Sequence, residues 1–224
     1  KYIRRELSAV IEEAYRYFSV ITVTGPRQSG KTTLIRNLFP HLPYYSLENL
    51  DVRSFAENDP VAFLNQHAEG MILDEVHNAP NLLSYIQGMV DDDADRRFIL
   101  SGSSQFAMLK RITQSLAGRT AVFELLPLSY SEIREIASDT PLDHLLLDGF
   151  YPAIYSGRNV PKFLYPAYMK TYLDKDVRDL LQIKDMMQFH TFIRLCAGRI
   201  GSLFKASELA NEIGISSHTI TAWL

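Results

Sequence analysis

Five short apolar runs punctuate the first half of the chain, each flanked by polar or turn-forming residues. They are Phe18-Ser19-Val20-Ile21-Thr22-Val23-Thr24, Tyr44-Tyr45-Ser46-Leu47, Gly70-Met71-Ile72-Leu73, Phe98-Ile99-Leu100-Ser101 and Ala121-Val122-Phe123-Glu124-Leu125. Continuous apolar runs of this length suit strands buried on both faces, as in a parallel sheet. The intervening segments carry a helical period instead. Ile3, Leu7, Val10, Ile11 and Ala14 predict an amphipathic helix over 3–15, Leu34, Ile35 and Leu38 a second, and Leu82 to Val90 a third. Asp59-Pro60 marks a further helix start. Strands alternating with helices in this way predict an α/β fold with a parallel sheet covered on both faces.

Near Pro127 the pattern changes. Residues 128 to about 187 read as mostly helical, with a break around Gly149 to Pro161, and Phe189–Ile200 and Ser207–Leu224 read as further helices. The expected organisation is therefore a core at 1–127, a helical lid at 128–187 and a small terminal helical module at 188–224. No internal repeat or low-complexity tract is visible. The chain starts at Lys1 without Met and stops at Leu224 inside a helical pattern, so both ends are expected to be trimmed.

Composition narrows the class. The 224 residues are 46% hydrophobic and 22% charged, which reads as a soluble globular chain with material for a core. A net charge of −3 gives no global basic field for nucleic acid. The single Cys196 excludes an intrachain disulfide and fits a reducing cytoplasm, and its apolar neighbours Leu195 and Ala197 make it a packing residue. No apolar run approaches the length of a membrane helix and no secretory signal is visible, so the expected location is cytoplasmic, away from membranes. The acidic run Asp91-Asp92-Asp93-Ala94-Asp95 reads as a solvated loop rather than a metal site.

The strongest chemical signal follows the first strand. Gly25-Pro26-Arg27-Gln28-Ser29-Gly30-Lys31-Thr32, continued by Thr33, matches the G-x-x-x-x-G-K-[ST] phosphate-binding loop, or Walker A motif. Glycine at 25 and 30 allows positive φ and close backbone approach to a phosphate. Consecutive N–H groups then form an anion nest at a helix N-terminus. Lys31 is expected to reach the β- and γ-phosphates, and the Thr32 hydroxyl to ligate Mg²⁺. Asp74 and Glu75 close the third apolar run as a Walker B pair: Asp74 to hold Mg²⁺, Glu75 to polarise an attacking water.

Further candidates are less constrained. Ser101 or Ser103, in Ser101-Gly102-Ser103-Ser104, would orient the water and sense the nucleotide if their strand neighbours the first; otherwise the segment is a Ser/Gly turn. Arg119 is either an arginine finger offered to a neighbouring subunit or a helix C-cap. Glu208 to Ile220 reads as a helix-turn-helix in which Leu209, Ala210 and Ile213 pack, Gly214 turns and Ser216 or Ser217 caps the second helix. Such a module often serves DNA, but Glu208 and Glu212 against Lys205 favour a structural or protein-contact role.

Taken in order, the loop at 25–33, Ile72–Pro80, Ile99–Ser104, Ser115–Arg119, Leu126–Glu132, Tyr172–Arg178 and Ala197–Gly201 resemble the prokaryotic AAA-type ATPases of the AAA_14 group that carry a C-terminal DUF4143 domain. The resemblance covers nearly the whole chain. It implies an AAA+ (ASCE-like) P-loop NTPase with a five-stranded parallel sheet, a helical lid and a winged-helix module, binding ATP and Mg²⁺. It implies an ATPase driving movement of lid and module, or alternatively a slow nucleotide-dependent switch that binds a protein partner or DNA. Self-association, a protein client and DNA are the candidate partners beyond nucleotide. Gly149-Phe150-Tyr151-Pro152-Ala153 is similar to a lid element whose proline region touches adenine, with a plain loop as the alternative, and Arg178 or Arg199 would be the lid arginine. His77 stands where family members commonly have Gln, and no DUF4143 region is present.

Overall fold

The computed structural model describes residues 2–102, 115–172, 183 and 185–224. The chain divides into two compact units, residues 1–159 and 160–224. Residues 128–159, expected to open the lid, lie within the first unit.

Five parallel strands build the first unit: β1 (Val20–Thr24), β2 (Tyr44–Ser46), β3 (Gly70–Asp74), β4 (Arg97–Ser101) and β5 (Thr120–Glu124), in the spatial order β2-β3-β4-β1-β5. Register pairs Ile21 with Ile99 and Ala121, Ile72 with Ile99, and Tyr44 with Ile72. Every residue of β1 and β3 is buried, as parallel strands covered on both faces require. Neighbouring side chains leave opposite faces of a strand and feed two cores. Val20, Met71, Leu73, Phe98 and Leu100 pack on one side with Phe63 and Leu64 of α4 (Pro60–Leu64) and Leu82, Leu83 and Ile86 of α5 (Leu82–Asp92). Ile21, Val23, Ile72 and Ile99 pack on the other with Ile11 of α1 (Leu7–Ala14) and Leu34 and Ile35 of α2 (Lys31–Leu38). The helix α3 (Leu50–Asn58) follows β2 and starts at Asn49, whose side chain accepts from the Asp51 N–H at 2.9 Å. Asp59 accepts from the Ala62 N–H at 3.0 Å, with Pro60 in the first turn, as the Asp-Pro pair predicts.

The N-terminal helix is shorter than its periodicity suggests. It begins at Leu7, Val10 is half-exposed, and Ile3 joins a separate cluster with Leu128, Ile133, Ala137 and Leu145. That cluster belongs to α6 (Tyr130–Ile133) and α7 (Leu142–Asp148), followed by α8 (Pro152–Tyr155). A capping box starts α6: Ser129 Oγ accepts from the Glu132 N–H, and the Glu132 carboxylate accepts from the Ser129 N–H at 2.9 Å. The acidic run is also partly helical, since α5 extends to Asp92.

In the second unit, α9 (Pro161–Tyr168), α10 (Met186–Ala197), α11 (Ala206–Ile213) and α12 (Ser217–Trp223) are described. Phe189, Phe192, Leu209, Ala210 and Ile220 form its core, edged by Trp223, Ile213 and Cys196. Gly214 turns left-handed between α11 and α12 (φ 78°), and the Ser216 hydroxyl accepts from the Thr219 N–H at 3.0 Å. Among the described residues no helix is long and apolar enough to cross a membrane.

Candidate functional site

The phosphate-loop sequence leaves the C-terminal end of β1 and enters α2. Gly25 (φ 141°) and Gly30 (φ 97°) both take backbone conformations closed to most L-residues. At Gly25 the reason is also contact: a Cβ there would overlap the Leu125 carbonyl oxygen at the end of β5. Gly30 is the N-cap of α2, so the loop delivers its N–H groups to a helix N-terminus. Gln28 (φ 63°) and Glu75 (φ 53°) are the positive-φ non-glycine residues among those described, and both lie in this candidate site.

Lys31 is buried, and its ammonium donates to the Gly25 and Pro26 carbonyls, both at 3.0 Å. Burial pushes its pKa down from the ordinary lysine value; the Glu75 and Asp74 charges oppose this, and Arg27 adds to it. Thr33 lies in the first turn of α2.

Asp74, only 4% exposed, is the convergence point. Its Oδ2 accepts from the Thr32 hydroxyl at 2.7 Å and from the Tyr44 hydroxyl at 2.7 Å. Its Oδ1 accepts from the Glu75 N–H at 3.2 Å and from the Ser101 hydroxyl. Burial, then the bond to Asp74, raises the Tyr44 phenol well above its ordinary value. A hydroxyl and a carboxylate in contact make a hard-oxygen pair of the kind Mg²⁺ takes when phosphates supply other ligands. Among the described residues no cluster of three or more His, Cys, Asp and Glu side chains could cage a metal alone. The donor set therefore fits a metal brought with a nucleotide.

Glu75 opens a short 3₁₀ turn, Val76–Asn78, and its carboxylate Oε2 lies 3.1 Å from His77 Nδ1 without the alignment of a hydrogen bond. Ser101 is completely buried and donates to Asp74. Its strand β4 does neighbour β1, and the group its hydroxyl touches is the Asp74 carboxylate behind the loop. Ser103 and Arg178 lie outside the described residues. Pro152 is brought to the loop, with its Cγ 3.6 Å from where a Gly30 Cβ would stand. Arg119 is not at this end of the sheet. It precedes β5, its carbonyl accepts from the Val20 N–H, and its guanidinium forms an exposed two-pronged pair with Asp91 at 2.5 and 2.8 Å while donating to the Ala117 carbonyl. Arg199, in the second unit, donates to Glu212 and to the Leu195 carbonyl.

Two residues at the site had no local sequence signal. Tyr44 reaches Asp74 because β2 pairs with β3, which the sequence does not specify. Arg5, inside an apparently ordinary amphipathic segment, is buried against the phosphate loop and donates to the Ser29 carbonyl at 2.8 Å.

Fold and site define an α/β protein with a P-loop at the mouth of a parallel sheet. Residues 17–134 match the AAA domain family AAA_14, and residues 139–224 match a domain of unknown function, DUF8612. The chain belongs to the AAA_14 family of AAA-type P-loop ATPases. The C-terminal match is thus to DUF8612. Mb2031c of Mycobacterium bovis and Rv2008c of Mycobacterium tuberculosis, both described as uncharacterized proteins, are each 30% identical over 230 residues, covering 99% of this chain. The chain spans about half the length of these curated relatives. Among solved structures, a Walker-type ATPase of Pyrococcus abyssi is similar at TM-score 0.49 and 14% identity, over 90% of this chain and 77% of that one. RuvB of Thermotoga maritima is similar at TM-score 0.48 and 18% identity, over 98% and 83%.

Proposed function

We propose that the chain binds ATP with Mg²⁺ at residues 25–33 and hydrolyses it. The observation that carries this reading is the contact between the Thr32 hydroxyl and the buried Asp74 carboxylate at the start of the phosphate-loop helix, beside a buried lysine. In it, the loop N–H groups of Gly25, Arg27, Gln28, Ser29 and Gly30 hold the phosphates, Pro26, which has no N–H to donate, fixes the path of the chain between them, and Thr33 sits in the following turn. Lys31 exchanges its carbonyl partners for phosphate oxygens. Thr32 and Asp74 hold the metal, and Glu75 accepts the proton of the attacking water. Mg²⁺, when bound, supplies charge neutralisation across the phosphate oxygens. Pro152 contributes to nucleotide contact from the first turn of α8. Ser103 orients the water, and Arg119 acts only in trans, since its own β5 keeps it at the far end of the sheet. Turnover is coupled to movement of a helical lid and a winged-helix-like module in the cytoplasm.

Release of γ-phosphate tests this. Lys31→Ala and Glu75→Gln are expected to lower turnover by about 100-fold or more. Turnover left intact in both variants would refute the assignment. The second reading, a slow nucleotide-dependent switch for a protein partner or DNA, is favoured by the helix-turn-helix geometry around Gly214. Turnover with and without DNA, together with particle mass in ATP, separates the two: fast hydrolysis by an assembly marks a motor, slow hydrolysis by a monomer a switch.

A further inference from the structure

Arg5 reaches the phosphate loop from the N-terminal segment and makes four side-chain hydrogen bonds there. Its Nε donates to Glu132 Oε1 at 3.0 Å, its Nη1 to the Ser29 carbonyl at 2.8 Å, and its Nη2 to the Leu126 and Pro127 carbonyls at 2.7 and 3.1 Å. Arg5 is 7% exposed, and the side chain of Glu132 5%. Glu132 is itself fixed: Oε1 also accepts from the Glu6 N–H at 2.7 Å, and Oε2 from the Ser129 N–H. One guanidinium thus ties the N-terminal segment, the exit of β5, the start of α6 and the middle of the phosphate loop together.

The consequence for the loop follows from peptide geometry. The Ser29–Gly30 bond is trans, so its C=O and N–H point in opposite directions. With the Ser29 oxygen held by Arg5, the Gly30 N–H is aimed away from Arg5. Among the described residues that N–H donates to no protein acceptor. The loop is then held against the residues after β5 at two points: Gly25 by close approach to Leu125, and Ser29 through Arg5.

We infer that Arg5 is a positioning residue for phosphate binding: by gripping the Ser29 carbonyl it presets the Gly30 amide as a donor to the nucleotide's phosphates. The inference rests on the reading of residues 25–32 as the nucleotide site. A lysine would keep the charge but not the planar fork that meets three carbonyls and a carboxylate at once. Without the grip, the peptide is free to rotate and the amide must be ordered at the expense of binding.

Calorimetric titration of the whole chain with Mg²⁺-ADP, and displacement by inorganic tripolyphosphate, tests this. Arg5→Lys is expected to weaken both by roughly tenfold, the loss of one charge-oriented hydrogen bond, at unchanged stoichiometry. A merely structural role gives the other pattern, a lower stoichiometry with the wild-type Kd, and overturns the inference, as does an unchanged Kd. If Arg5→Lys does not fold, Glu132→Gln decides. It loosens the same guanidinium and is expected to raise the Kd about threefold at full stoichiometry, whereas a wild-type Kd refutes the role of Arg5. Failure of the wild-type chain to bind Mg²⁺-ADP would instead remove the site reading itself, and with it this inference.

Discussion

Tyr44→Phe deletes one oxygen and leaves the ring, including its contact with the Arg36 guanidinium 4.8 Å from the ring centroid. The lost bond is the 2.7 Å donation to Asp74 Oδ2, inside a pocket where Asp74 is almost fully shielded from water. A hydrogen bond to a charged group contributes about 1.5–3 kcal/mol, and three other donors still serve this carboxylate, so a cost of about 1.5 kcal/mol at pH 8 is expected. The pH dependence carries the sharper test. Burial and the Asp74 bond raise the phenol's folded pKa above its unfolded value near 10. A raised folded pKa means stability that is complete below pH 10 and is lost as pH climbs toward the folded value.

In the wild type, the unfolded chain releases the Tyr44 proton above pH 10 while the folded chain keeps it, which favours unfolding by up to about 1.4 kcal/mol per pH unit. Solvent reaches part of the ring and trims this, so the advantage of wild type over Tyr44→Phe should shrink by about 1 kcal/mol between pH 8 and pH 11. Tyr15 and Tyr155, whose pKa values are also raised, are present in both proteins and cancel in the difference. Urea unfolding followed by far-UV circular dichroism is the assay, because the single tryptophan, Trp223, reports on the second unit only. A constant offset from pH 8 to pH 11 would show that the phenol is not held neutral by this site.

Gly25→Ala places a methyl against the Leu125 carbonyl at a φ of 141°, so calorimetry should find nucleotide binding lost, and unfolding should show a cost of about 2 kcal/mol or more. Ser101→Ala removes a buried donor to Asp74, and titration of turnover against Mg²⁺ is expected to show a several-fold higher requirement. An unchanged Mg²⁺ requirement with a lower maximal rate would instead assign Ser101 the water-orienting role. Leu209→Ala opens a cavity at a fully buried position of α11 and should cost about 2–5 kcal/mol, read by Trp223 fluorescence, because Trp223 edges the same cluster.

The sheet was legible because its inner strands β1, β3 and β4 are buried almost throughout, while the partly exposed edge strands β2 and β5 still keep short apolar runs, and each run ends within a residue or two of the observed element. The phosphate loop was legible because its glycines and its lysine are demanded locally, by backbone conformation and by charge. Three features were not. The helix beginning at Leu7 was overextended because Ile3 keeps the helical period while packing into a different cluster, and periodicity cannot distinguish two cores. The acidic run looked like a loop because its charges hid the last turn of α5, where Asp91 pairs with Arg119 from the segment before β5. Arg5 and Tyr44 were missed because their partners lie 24 and 30 residues away, and sequence spacing carries no information on which strand lies beside which.

Strand order also explains why Asp74 needs so many donors. With β4 between β1 and β3, the carboxylate at the end of β3 and the hydroxyl at the start of α2 come from elements that are not neighbours in the sheet. A flexible link across that gap would leave the Thr32–Asp74 distance undefined, and a metal held between two such groups needs it defined. The intervening strand closes the gap with Ser101, a side chain small enough to be wholly buried there while still donating to Oδ1. The outer strand β2 supplies Tyr44 to Oδ2 from the far side, and the left-handed backbone at Glu75 turns its own N–H back onto Oδ1. The carboxylate is therefore clamped from both sides. The same left-handed turn puts the next carboxylate, Glu75, beside the loop at the exit of β3 rather than continuing the strand, so one local distortion serves both the orientation of Asp74 and the placement of the proposed base.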